Sequence, residues 1–161
     1  MQVADCMRTE VFTIGPDATL GDAINLMAHH MVATLPVVDA EGHLLGVVVM
    51  DDILGQFIPT YFELLRTADF IHDFSFLETS RPPQSLTEKP IETVMRAPYC
   101  IGAENRLIAA LVVMHKHHVS DAPVTDDDKR VVGLVSFARV SSLFLAEWLG
   151  HVADTEAIPG E

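Results

Sequence analysis

Three groups of side chains in this sequence could bind or react. A carboxylate pair, Asp51-Asp52, directly follows the β-branched run Val47-Val48-Val49 and one methionine. Ser136 and Arg139 follow a second apolar run, Val131 to Val135. Five histidines, His29, His30, His115, His117 and His118, fall in two clusters. Asp52 at a helix start would complement the helix dipole or accept hydrogen bonds from a ligand. Ser136 would cap a helix or offer its hydroxyl. Arg139 cannot accept a hydrogen bond, but it can pair with a phosphate or an acidic neighbour. The imidazoles, with nearby Asp121, are competent metal ligands. They also sit where helices are expected to end, a place that favours histidine for electrostatic reasons, and no metal site is assigned. There is no glycine-rich phosphate loop and no paired zinc motif. A lone serine does not make a nucleophile–base pair, so nothing points to catalysis.

The elements that must hold these residues can be read from pattern. Leu35 to Ile53 reads as strand, turn, strand and helix start: Val37-Val38, the turn Asp39-Ala-Glu-Gly42, Val47-Val48-Val49, then Asp51-Asp52. Upstream, Val11-Phe-Thr-Ile14 reads as a short strand broken by Gly15-Pro16-Asp17. Thr19 can cap a helix, with Asp22 as its capping-box partner. Leu20, Ala23, Ile24, Met27 and Met31 recur at helical spacing. That helix should stop near His30, because Leu35-Pro36 forces extended backbone. Tyr99-Cys-Ile101, a helix through Leu107, Ala110, Leu111 and Met114, and a helix from Ser136 through Val140, Leu143, Phe144 and Trp148 repeat the series.

The repetition is measurable. Met27 and Met114, Pro36 and Pro123, and Gly46 and Gly133 are each 87 residues apart. At that offset ten of the 34 positions from Leu20 to Ile53 are identical, where unrelated chains would give about two or three. This is a duplication. Met7 and Met95 are 88 apart, so one residue has been lost before the second repeat's helix. Each repeat is too small to stand alone, whereas a pair can cover both sheets.

Between the repeats lies a different stretch. Five of the eight phenylalanines, Phe57, Phe62, Phe70, Phe74 and Phe76, fall there with Tyr61. Phe57, Tyr61, Leu64, Leu65 and Ala68 share one helical face, which packs on its own domain or on a second subunit or partner. Residues 79–90 read as a polar, proline-containing linker. The expected division is 1–55, 56–90, 91–150 and a polar tail at 151–161.

Composition narrows the function classes. The chain has 161 residues, 49% of them apolar, and a formal net charge of −13. That charge argues against non-specific nucleic-acid or anionic-membrane binding. Two cysteines, Cys6 and Cys100, are too few for a disulfide framework and fit a reducing compartment. No basic segment followed by an apolar run opens the sequence, and no run approaches the ~20 residues of a membrane helix. A cytoplasmic location is the expectation.

The pattern Val-x-x-x-Met, a short strand, a helix ending before Leu35-Pro-Val-Val-Asp39, a glycine turn and Gly46-Val-Val-x-x-x-Asp52 resembles the CBS domain. Two in tandem resemble a CBS pair, or Bateman module, over residues 3–55 and 91–147. The resemblance implies an α+β fold of two β-α-β-β-α repeats about a pseudo-twofold, with the aromatic helical segment inserted between them. It also implies a regulatory module that binds an adenosine-containing ligand in clefts between the repeats: AMP, ADP, ATP or S-adenosylmethionine. In the family signature a Ser or Thr after the third strand and the helix start hold phosphate, and an Asp three residues later accepts from ribose hydroxyls. Here the first repeat keeps the acid, Asp52, but has Val49 at the hydroxyl position. The second keeps the hydroxyl, Ser136, but has Arg139 at the acid position. By the same resemblance Val32 and Thr34, Val119 and Asp121, and Thr13 and Tyr99 border the clefts. The expected molecule is a homodimer that signals to a separate, unidentified partner protein. The alternative is a non-sensing scaffold that acts through the Phe-rich insert.

Overall fold

The computed structural model describes residues 1–57 and 84–150. Most of the expected aromatic helix, including Tyr61, Phe62, Phe70, Phe74 and Phe76, and the expected tail lie outside the described residues. The described chain divides into two compact units, one of residues 12–57 with 84–98, the other of residues 1–11 with 99–150.

In the first unit α1 (Leu20–His30) starts at Thr19. The Thr19 hydroxyl accepts from the Asp22 N–H at 3.2 Å, and the Asp22 carboxylate accepts from the Thr19 N–H at 2.9 Å, the expected capping box. Leu20, Ala23 and Met27 face inward. The helix stops at Met31, whose φ of 51° is left-handed and turns the chain toward Pro36. Strands β1 (Thr34–Val38) and β2 (Leu44–Val49) form an antiparallel hairpin, with Leu35 opposite Val48 and Val37 opposite Gly46. The chain then enters α2 (Met50–Phe57). A one-turn helix, α3 (Gln84–Thr87), leads into a 3₁₀ turn at Ile91–Thr93.

The expected strand at residues 11–14 is reduced to one point of pairing. Ile14 bridges Val37, its N–H donating to Pro36 O and its carbonyl accepting from Val38 N–H. On the opposite edge Arg96 bridges Val47 by two backbone bonds of 2.9 and 3.2 Å. The sheet therefore has Ile14 on one side and an arm, residues 91–98, on the other. Ile91 and Val94 of this arm join Leu20, Met27, Leu35 and Ile53 in the core.

The second unit repeats the plan. Strand β3 (Ile101–Gly102) pairs parallel with β4 (Asp121–Thr125), which pairs antiparallel with β5 (Val131–Ser136). Helix α4 (Leu107–His117) precedes β4, and α5 (Phe137–Trp148) follows β5. Its outer edge is closed by an arm from the start of the chain. Arg8 bridges Leu134 by two backbone bonds of 2.9 Å, and Val3 and Cys6 of that arm are buried.

Each unit thus takes its arm from the segment that precedes the other repeat. Two glycines make this possible. A Cβ on Gly46 would stand 2.6 Å from Met95 Sδ and 2.8 Å from the Arg96 carbonyl, and one on Gly133 would stand 2.5 Å from Met7 Sδ. Only hydrogen lets the arm lie that close to the strand.

Candidate functional site

In each unit some of the candidate residues, Thr34 and Asp52 in one and Asp121, Ser136 and Arg139 in the other, lie at the junction where the last strand enters its helix, whereas Thr13 and Tyr99 are not placed there. The junction is built the same way twice. Met50 N–H donates to Ala33 O at 2.9 Å, and Phe137 N–H donates to Ser120 O at 2.7 Å. Each bond ties the segment before the proline-bearing strand to the first residue of the following helix.

In the first unit Thr34 is buried opposite Val49, and Val32 is half-buried behind α1, its N–H bonded to Met27 O. Thr13 is exposed beside Ile14. Asp52 occupies the third position of α2 and does not stand open. Arg96 donates to both of its oxygens, Nε to Oδ2 at 2.6 Å and Nη2 to Oδ1 at 2.9 Å. The pair is about two-thirds buried on each side. A carboxylate held by both oxygens in this way has its acceptor capacity largely filled. An open groove of about 470 Å³ runs past it, lined by Asp51, Asp52, Gly55, Gln56 and the arm residues Thr93, Val94 and Met95.

In the second unit Asp121 is paired across the hairpin with Ser136. Ser120 Oγ donates to the Asp121 carboxylate at 2.8 Å. Ser136 is the N-cap of α5, its Oγ accepting from Arg139 N–H at 3.4 Å. Val119 is half-buried, its N–H on Met114 O. Arg139 is exposed in the third position of α5, the counterpart of Asp52. Tyr99 is buried, its ring stacked on His117 with centroids 4.7 Å apart and planes 19° apart.

That last contact has a twin. Phe12 stacks on His30 at 3.6 Å and 17°. The two pairs are related by the same offset of 87, so each repeat packs the C-terminal histidine of its helix on an aromatic ring before its sheet. His30 and His117 are therefore held by ring packing. Among the described residues, a group of three potential metal ligands within 4.8 Å is instead Asp39, Glu41 and His43. This is the turn between β1 and β2. Asp39 accepts the N–H groups of His43 at 2.8 Å and Glu41 at 3.0 Å, with the His43 ring also at 3.0 Å. The His43 backbone bond, foremost, holds the Asp39 carboxyl below its ordinary range.

Sequence reasoning missed Arg96, Arg8 and Phe12. The repeat carried the signal for all three: Arg8 and Arg96 follow Met7 and Met95 at the offset of 88, and Phe12 precedes Tyr99 by 87.

The family model for the CBS domain matches residues 3–58 and 91–145. The chain belongs to the CBS domain family. Its two CBS repeats stand in tandem as a Bateman module, and the mixed α/β architecture is that of solved CBS domain pairs. One such pair, solved with 5′-methylthioadenosine and S-adenosyl-L-methionine, has a TM-score of 0.65 at 23% identity, covering 91% of this chain and 98% of that one. CBSX2, solved with AMP, also has a TM-score of 0.65, at 22% identity over 91% of this chain and 98% of its own. Among curated proteins, an inosine-5′-monophosphate dehydrogenase of Methanocaldococcus jannaschii is 24% identical over 131 residues, 81% of this chain but 21% of the enzyme. The CBS module thus spans about a fifth of the length of that relative. No described helix is long and apolar enough to cross a membrane.

Proposed function

We propose that this CBS pair is a regulatory module that binds an adenosine-containing ligand, AMP, ADP, ATP or S-adenosylmethionine, and passes the binding event to a separate partner protein. The observation that carries this reading is the family match over both repeats. Solved pairs of the same fold that hold AMP or S-adenosyl-L-methionine support it. The residues that serve the ligand are Ser136 and Arg139 with Tyr99, Val119 and Asp121 in one unit, and Asp52 with Thr13, Val32 and Thr34 in the other. The protein works by binding rather than catalysis, as a homodimer in the cytoplasm. Binding shifts a conformational balance only as far as the ligand prefers one state over the other.

The Arg96–Asp52 pair favours the second unit's residues as the stronger half of this equipment. A ribose reaching Asp52 must first displace a bidentate guanidinium, whereas among the described residues no ion pair of that kind covers Ser136. Calorimetric titration with AMP, ADP, ATP and S-adenosylmethionine tests the proposal. Binding of at least one is expected, weakened by Ser136→Ala more than by Asp52→Ala. Absence of heat for all four at near-millimolar concentration would sink it. Binding that both substitutions leave unchanged would overturn the residue assignment. The second reading, a scaffold acting through the Phe-rich insert at residues 56–90, falls mostly outside the described residues. It is tested by whether Phe62→Asp changes the solution mass.

A further inference from the structure

We infer that Arg8 and Arg139 together form a binding site for a phosphoryl group in the unit built on β3–β5. In the other unit the arm residue Arg96 grips the third residue of α2, Asp52, at 2.6 and 2.9 Å. Those two positions are therefore within hydrogen-bonding reach of each other. The second unit sets Arg8 on Leu134 by the same two-bond bridge that sets Arg96 on Val47. It also sets Arg139 in the third position of α5. Register and helix position correspond, but the carboxylate has been replaced by a second guanidinium.

Both arginines are exposed, and neither makes an ion pair among the described residues. Of the two acids on the same arm, Asp5 already accepts the Gln2 N–H at 2.7 Å, and the exposed Glu10 makes no ion pair with either arginine among the described residues. The charge of Arg139 reaches this arm. It draws the Cys6 thiol downward against the larger upward push of burial. Two guanidinium groups facing one another repel unless an anion lies between them. Their planar forks match the oxygens of a phosphate in paired hydrogen bonds. The site thus takes from outside the negative partner that Asp52 supplies internally in the other unit.

The phosphoryl group can belong to a nucleotide or be inorganic. As the phosphate end of a nucleotide the inference rests on the function proposed above; as a site for inorganic pyrophosphate it stands alone. The test is calorimetry on the full chain with adenosine, AMP, ATP and inorganic pyrophosphate. The variants are Arg8→Ala, Arg139→Ala and Arg139→Asp. Each alanine variant should lose about tenfold or more in affinity for the phosphorylated ligands, with adenosine unaffected. Arg139→Asp should abolish phosphoryl binding while leaving the melting temperature equal or higher, because it rebuilds the Arg96–Asp52 type of pair. A lower melting temperature would mean that the two positions are not opposed, and would overturn the site. AMP and ATP affinities that ignore both alanine substitutions, or that equal the affinity for adenosine, overturn the inference and leave the nucleotide reading standing. Arginine-dependent pyrophosphate binding without a response to any adenosine compound upholds the site and overturns the nucleotide reading. Silence from all four ligands overturns the site.

Discussion

At the scale of residues, the two repeats use the same positions with different chemistry. Asp52 and Arg139 are counterparts, yet one is the acceptor of a closed ion pair and the other a solvent-facing cation. The Arg96–Asp52 pair joins residues 44 apart, so no local pattern announces it. Its bidentate geometry and partial burial should give a coupling energy of about 1 kcal/mol in a double-mutant cycle of Arg96→Ala and Asp52→Ala. Denaturant titration of the four proteins measures it, and additive effects would show that the pair contributes nothing. Gly42 and Lys129 are counterparts as well, both with positive φ, 88° and 65°. The left-handed region suits glycine and strains lysine. Lys129→Gly should therefore stabilise the second hairpin by a few tenths to about 1 kcal/mol, read as a rise in the urea midpoint.

At the scale of elements, much was legible. The capping box at Thr19, the stop at His30 before Pro36, and the strand-turn-strand around Gly42 all depend on neighbours in sequence, and the structure has each of them. The strand expected at residues 11–14 was not so local. Among the described residues only Ile14 of this stretch finds a strand partner before Gly15-Pro16 turns the chain away. Ser136, by its position a cap or a ligand hydroxyl, caps α5 through its Oγ. Helix α1 and the hairpin turn also carry a pH dependence. Thr19 hydrogen bonds, the backbone one foremost, hold the Asp22 carboxyl below its ordinary range, and Asp39 is lowered by His43. A group lowered on folding contributes stability above its unfolded pKa, about 4 for a carboxylate, and that contribution fades as pH falls through the folded value. Melting temperatures followed from neutral to acid pH should fall less steeply below that point in Asp22→Asn and Asp39→Asn than in wild type. Equal slopes would remove these two groups from the acid limb. Thr19→Ala should cost about 1 kcal/mol at neutral pH.

At the scale of the molecule, the repeat was plain in sequence and the compact unit was not. A duplication is visible because identities recur at 87, but nothing in that count says which sheet an arm will join. The arms attach through backbone bonds at Arg8 and Arg96 and through methionines lying on glycines, contacts that any apolar segment of the right length could make. Gly46→Ala should be the harsher of the two glycine substitutions. Its added methyl meets the Arg96 carbonyl at 2.8 Å as well as the movable Met95 side chain, while at Gly133 the backbone contact is 3.1 Å. A loss of about 1–3 kcal/mol is expected there, less for Gly133→Ala, and the reverse order would count against the arm packing. Fragments make the same point. Residues 12–98 contain a whole unit and should give a cooperative thermal transition by circular dichroism. Residues 1–57 hold one repeat with the wrong arm and should not.

This exchange of arms also sets an order in time. The unit of residues 12–98 is continuous, so it can close as soon as its last residue clears the ribosome. The other begins with residues 1–11 and cannot close until Leu134 has been made. Val3 and Cys6, buried in the folded unit, wait for β5 to be made before they are covered. Residues 1–11 are made before the unit of residues 12–98 yet close after it, so synthesis passes through a stage with one finished unit and an apolar arm still waiting.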